Sequence, residues 1–481
     1  MSAIYWRELR DLLKSRRFGV AACIFLLGMA LNGYVISGIY RELFKMHEEV
    51  EARSRERLRE AAAHVELLAI NFNEIFGENG QGQVLIVSAP PPRLLPLVTG
   101  ADPGGLEAVE WNFPNEAEPA DLGIGNGEMP VRPVLDWEFM VRILLSFVAI
   151  ILSYDLIVGE RERGTLALTL AYPVSRARVL SAKFAAVMTL MGWLLLAGSL
   201  LSTLIYTGRA TGAFAPSEYA RLGLFDLGAL LYLALFVGVS LLVSSRARTS
   251  ASSLIALLIF WIAVTIVIPQ GGTAAVQGSV STVSDVQVEQ RVMQQIEGQI
   301  NELVGEMDSF IRSDFNAARK DGFSSERNFA RRVNQMIATI KATVAEQQES
   351  HNRQARVVRN ILRLTPAGLF QLGSEHLLGV GDDRDRHFLR SVDEWADTYA
   401  RFVQEQDMLD PDSPHVFYVQ NYMSQRSVDP GAIPRFRFEE LSLKESLKNS
   451  LLDWALLIIE LAVALALSFA SFARAPVSEA A

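Results

Sequence analysis

The chain has 481 residues, a formal net charge of −9, 50% hydrophobic residues and only 21% charged ones, with a mean hydropathy of +0.20. That balance disfavours disorder, collagen-like sequence and a nucleic-acid-binding surface. The single cysteine, Cys23, permits neither an intrachain disulfide nor a Cys-based zinc cluster. The apolar residues gather into blocks, as in a protein that lies in a membrane.

Six blocks are long enough to cross a bilayer, which takes about 20 mostly apolar residues. They are placed at Phe18–Ile39, Leu135–Val158, Phe184–Tyr206, Gly223–Val243, Ala251–Ile268 and Leu451–Phe472. The first is too long for a signal-peptide core and has no small-x-small site before Tyr40, so it reads as a retained anchor. Basic residues cluster in the N-terminal flank, in 159–183, at Arg246 and Arg248, and at Arg474. With six spans these flanks share one side, which predicts both termini in the cytoplasm. Residues 40–134 and 270–450 then lie outside the cytoplasm.

Residues 1–17 predict an in-plane helix leading into the first span. Tyr5, Leu9, Leu12 and Leu13 recur at helical spacing, Arg7, Arg10 and Lys14 lie elsewhere on the wheel, and Trp6 suits an interface. The first outer segment, 40–134, opens with a charged helical run, Arg41–Asn71, as a stalk. A β-like stretch at Val84–Ser88 and Gly/Pro-rich loops follow, reading as a small α+β domain. The second outer segment, 270–450, is predicted helical. Val292, Ile296, Ile300, Leu303, Met307 and Phe310 form one stripe, and Phe329, Val333, Met336, Ile340 and Val344 another beyond Asp321-Gly322. Together they predict an antiparallel hairpin. Phe388, Val392, Trp395, Tyr399 and Phe402 mark a third helix. The fold class is therefore mainly α: a polytopic membrane protein with an α+β outer segment and a helical outer domain.

Familiar chemistry is missing. No G-x-x-x-x-G-K-[ST], H-E-x-x-H or G-x-S-x-G occurs, and Gly123, Gly125 and Gly127 read as a loop. The six histidines show no metal-ligand spacing. The expectation is no catalytic site, no metal and no cofactor in this chain.

The strongest signal follows the second span. A dense charge cluster, Glu160-Arg161-Glu162-Arg163, leads to Gly164, which allows a sharp change of direction. Thr165–Ala171, including Leu166, predicts a short apolar helix that Pro173 ends. Ser175 can cap the next helix, where Arg176, Arg178 and Lys183 begin it. A short apolar helix between charged turns suits docking of a partner protein. Two further ionisable residues fall within spans: Asp155, expected to contact the loop arginines, and Glu460, a packing partner or a transport residue.

The stretch Glu160-x-x-x-Gly164-Thr165-Leu166, with Pro173, Arg176 and Lys183, resembles the coupling-helix loop of ABC exporter permeases of the ABC-two, or type V, class. Leu364–Phe370 with Gly379 and Gly381 resembles a subgroup of that class with large extracytoplasmic insertions. The resemblance implies a permease in the bacterial inner membrane that pairs with a second permease chain, identical or sibling. Separate ABC ATPase subunits carrying ATP and Mg would dock on the loop at Glu160–Ala171 and on the in-plane helix. Membrane lipid and a periplasmic partner complete the implied contacts. Two alternatives are an ABC-type mechanotransmission complex that moves nothing through its spans, and a membrane-anchored sensor or scaffold.

Overall fold

A computed structural model describes residues 2–69, 85–98, 108–111, 117–119, 135–279, 315–417 and 422–475. The first hydrophobic stripe of the expected hairpin, Val292–Phe310, and the glycines 123, 125 and 127 lie outside these residues.

Six helices are long and apolar enough to cross a membrane. In chain order the helices are α1 (Ser2–Leu13), α2 (Arg16–Ala61), α3 (Val65–Leu68), α4 (Trp137–Glu162), α5 (Thr165–Ala171), α6 (Arg176–Ala210), α7 (Pro216–Arg246), α8 (Ser250–Gly272), α9 (Phe315–Lys320), α10 (Ser324–Leu362), α11 (Pro366–Leu378), α12 (Asp382–Met408) and α13 (Leu443–Arg474). The spans are α2, α4, α6, α7, α8 and α13. A small antiparallel sheet orders β1 (Leu85–Ser88), β2 (Ala108–Trp111) and β3 (Ala117–Pro119), with Val87 opposite Val109. The chain is mainly helical, as its hydrophobic blocks predict.

Small residues let the spans approach closely. A Cβ on Gly33 of α2 would lie 2.7 Å from the Ser202 carbonyl oxygen of α6, and one on Gly198 would lie 2.5 Å from the Phe25 ring. Beside this crossing, Trp137 Nε1 donates to Asn32 Oδ1 at 3.1 Å and to Ser202 Oγ at 3.0 Å, so three spans share one buried polar node. Such bonds matter where no water can satisfy the groups.

Away from the membrane, residues from both outer segments enter one hydrophobic cluster. Leu58, Val65 and Leu68 from the first meet Phe329, Val333, Phe388, Val392 and Tyr399 from the second. The third predicted stripe thus faces a core, and Tyr399 Oη donates to the Leu68 carbonyl at 3.1 Å. Two helices connect this distal cluster to the bundle. Helix α2 has 46 residues without a break, about 70 Å at 1.5 Å per residue. Helix α10 has 39 residues, with Phe329 in the distal core and Leu362 buried near its other end.

Helix α11 then wedges between α7 and α13. Thr365 caps it by accepting from Gly368 N, Pro366 opens it, and Gly379, at φ 64°, ends it. Phe370 stacks on Tyr232 with centroids 4.8 Å apart, while Gly228 and Gly373 make room for the Trp454 ring.

Candidate functional site: the basal coupling hub

Helix α1, the loops after α4 and α7 and the end of α13 gather at one end of the bundle, here called the basal end. Gly164 has φ 71°, a left-handed conformation that turns the chain from α4 into α5. Helix α5 spans Thr165–Ala171, matching the predicted apolar helix. It buries Leu166 and turns Leu168 (68% exposed) outward, with Tyr172 (71% exposed) just beyond its end. Pro173 follows, exposed, and Ser175 caps α6 by accepting from Arg178 N.

The charged cluster before α5 is a set of ties to other helices. Arg161 donates to the carbonyl oxygens of Ser245 and Ala247, where α7 ends. Glu162 accepts from Ser250 N at 2.8 Å, where α8 begins. Arg176 donates through Nη1 to the carbonyls of Phe472, Ala473 and Ala475, closing the end of α13. Arg163 folds back on Gly159 O, and Thr165 Oγ1 on Glu160 O. Each sign suits the helix end it meets, cations at C-termini and the anion at an N-terminus.

Glu160 makes the deepest tie. Its Oε1 accepts from Lys183 Nζ at 3.0 Å and from Arg7 Nη2 at 2.8 Å. Lys183, only 1% exposed, also donates to Glu8 Oε1 at 2.8 Å. Two cations and two anions thus form a neutral quartet that joins α1, α4 and α6, with Glu8, Glu160 and Lys183 buried and Arg7 half-exposed. Burial alone would push the Glu8 carboxyl up, but Lys183 and Arg7 outweigh it and hold it below the usual range. Among the described residues, Glu160 Oε2 is buried without a hydrogen-bond partner.

The in-plane helix is attached by its apolar face as well. Leu9 packs on Ala186 and Leu190, with Tyr5 and Leu12 beside it, and Tyr5 Oη donates to Thr189 Oγ1. Leu13, part of that stripe in the sequence, is instead exposed, and Trp6, expected to suit an interface, is exposed as well. Asp155 requires a correction. Its partner is Arg17 in α2, at 3.2 Å, rather than an arginine of the 160–176 loop, because α4 ends against the start of α2. Glu460 belongs to no part of the hub; its Oε2 is buried within α13 with no partner among the described residues.

From the sequence alone Glu8 has no assigned role, and Lys183 has only a place among the basic residues that begin the helix after Ser175. A signal existed for both. Glu8 falls between Ile4 and Leu12 on one helical face, and Lys183 between Val179 and Ala186. A carboxylate and an amine inside apolar stripes ask for each other.

Among the described residues no group of acidic, His or Cys side chains could hold a metal ion. What the fold defines is a helical membrane bundle with a tied set of helix ends around one exposed apolar helix.

Comparison with known proteins gives that class a family. The family model described as ABC-2 family transporter protein matches residues 2–477, and the chain belongs to that family. Similar curated proteins include a probable ABC transporter permease protein, NosY, of Pseudomonas aeruginosa, 32% identical over 120 residues, or 24% of this chain and 42% of that protein. The same-named protein of Stutzerimonas stutzeri is 47% identical over 45 residues, 9% of this chain and 16% of its own length. The chain thus spans less than half of either relative. Membership and the six candidate spans make it a membrane-spanning protein of the ABC-2 transporter family.

Proposed function

We propose that this chain is an exporter permease driven by separate ATPase subunits that dock on α5, centred on Leu168 and Tyr172, and against α1. The observation that carries the reading is the hub: the residues before and after α5 hold the ends of α7, α8 and α13 and, through Glu160, α1 and α6. A push on α5 is thereby delivered to most of the bundle at once. ATP and Mg belong to the partner subunit. A second permease chain, identical or sibling, pairs with this one across the exposed apolar faces of α2 and α8, which carry Ile24, Leu27, Leu31, Ile255 and Ile259. The protein sits in the bacterial inner membrane with both termini cytoplasmic, in line with the basic flanks at the basal end. Type V architecture and a periplasmic distal domain belong to the same reading.

A second reading is favoured by α2. The same unbroken helix begins beside Asp155 at the hub and ends in the distal core through Leu58 and Ala61. Motion of the basal end would reach the distal domain along it, as in a mechanotransmission complex acting on an envelope partner.

The test is co-expression with each ATPase encoded beside the gene, purification through a tag on this chain, and vanadate-sensitive ATP hydrolysis. Glu162→Ala should lower hydrolysis while the permease stays folded. No co-purifying ATPase under any condition defeats both readings. Accumulation of a substrate in inverted vesicles separates export from mechanotransmission.

A further inference from the structure

At the opposite end of the bundle, α10, α11, α12 and α13 border an open cavity of about 340 Å³. Arg356, Arg359 and Arg363 line it from one face of α10, at spacings of three and four, and Arg386 of α12 faces them. The lining carboxylate is Asp383, joined by Asn449 and His376. From this arrangement we infer that the cavity binds the phosphate headgroup of an anionic amphiphile in the distal leaflet.

The charges must be counted in full. Arg356 pairs with Glu349 at 2.7 Å, Arg363 with Asp453 at 2.6 Å, and Arg359 and Arg386 both with Asp382. Arg386 also reaches Asp383 at 2.6 Å. His376 Nδ1 lies 3.0 Å from Asp453, and its Nε2 lies 3.9 Å from Asp383. Four arginines and the carboxylates of Glu349, Asp382, Asp383 and Asp453 leave the cluster formally neutral, but only Asp383 of those carboxylates lines the cavity, so arginines supply four of its five charged lining side chains. Each guanidinium has five N–H donors in a planar fork and directs one or two to these carboxylates. The fork geometry suits a tetrahedral oxyanion, whose oxygens each accept more than one bond.

Position selects the amphiphile over a free ion. Asn449 precedes the apolar stretch of α13 by two residues, so the cavity opens at the water edge of the membrane. Two exposed leucines follow lining residues in the chain: Leu364, next to Arg363, is 72% exposed, and Leu451, two residues from Asn449, is 68% exposed. A headgroup in the cavity would leave its acyl chains against these leucines, with the bundle's lipid-facing surface below.

The test titrates the full chain in neutral detergent with dioleoyl phosphatidylglycerol, with dioleoyl phosphatidylcholine, and with inorganic phosphate alone, reading occupancy by native mass spectrometry. Phosphatidylglycerol should bind in preference to phosphatidylcholine. Arg356→Gln with Arg359→Gln should weaken it about tenfold, as loss of charge-assisted hydrogen bonds requires. Asp383→Asn, which removes the lining carboxylate, should tighten it, a gain that misfolding cannot imitate. Inorganic phosphate binding with the same variant order, with no preference between the lipids, would keep the phosphate chemistry and assign a soluble source. Binding of both lipids that is equal and indifferent to all three substitutions would overturn the inference.

Discussion

Lys183 Nζ lies 2.8 Å from Glu8 Oε1 and is almost completely buried, so the N-terminal helix is held to the bundle by a charge it could not leave unpaired. Taking one member from such a pair typically costs about 3–5 kcal/mol, because the remaining charge stays in a dry site. Lys183→Met should therefore strongly destabilise the basal end, leaving Glu8 and Glu160 to share Arg7. Adding Glu8→Gln should recover much of the loss, since the facing carboxylates are then reduced to one. Thermal unfolding of the purified chain in one detergent checks both. A double variant no better than Lys183→Met alone would rule out the charge argument.

The same pair sets a pH dependence. The Glu8 carboxyl is held below its usual value by Lys183 and Arg7, against the upward push of burial. A group whose folded pKa is depressed gives its full stabilisation above the unfolded value, about 4.3 for Glu, and loses it as pH falls through the folded value. Docking of α1 should be constant from pH 7 to about 5 and weaken below about 4. Amide exchange over residues 2–13, corrected for intrinsic rates, reads this directly. Glu8→Gln should flatten the acid limb, and loosening of α1 between pH 7 and 5 would count against the assignment.

Much of the hub was legible because its signals are local. Gly164 for a left-handed turn, Pro173 for a stop and Ser175 for a cap each act within a few residues, and the structure has all three where the sequence put them. The apolar spans were equally plain, since a bilayer imposes length and composition on each segment separately. Long-range pairing was not legible. Nothing local says that Asp155 meets Arg17, or that Leu58 and Val65 share a core with Phe388 and Tyr399 more than 300 residues later. Apolar periodicity tells that a face is covered but not by which partner.

Leu168 offers a cleaner test of docking than the charged residues, because it touches little within its own chain. Leu168→Ala should leave thermal stability within about 0.5 kcal/mol, as for most surface changes. If α5 is the docking element, retention of the ATPase by the purified permease should fall by about tenfold or more, the scale of an interface anchor. Size-exclusion profiles at graded ATPase concentrations measure it. Unchanged retention with Leu168→Ala and Tyr172→Ala combined would move docking away from α5.

The crossing of α2 and α6 gives a prediction with an internal control. A methyl on Gly33 would meet the Ser202 carbonyl oxygen at 2.7 Å, and backbone cannot swing aside as a side chain can. Gly33→Ala should cost about 1–3 kcal/mol, the range for overpacked sites, and should also disturb the Trp137–Asn32–Ser202 node beside it. Gly38, five residues further along the same helix, has open space around its Cβ position. Gly38→Ala should be neutral or stabilising by up to about 1 kcal/mol, through helix propensity alone. Two substitutions of identical chemistry then differ in sign because one helix crosses another at Gly33 and not at Gly38; equal effects would show that the crossing is looser than these contacts require.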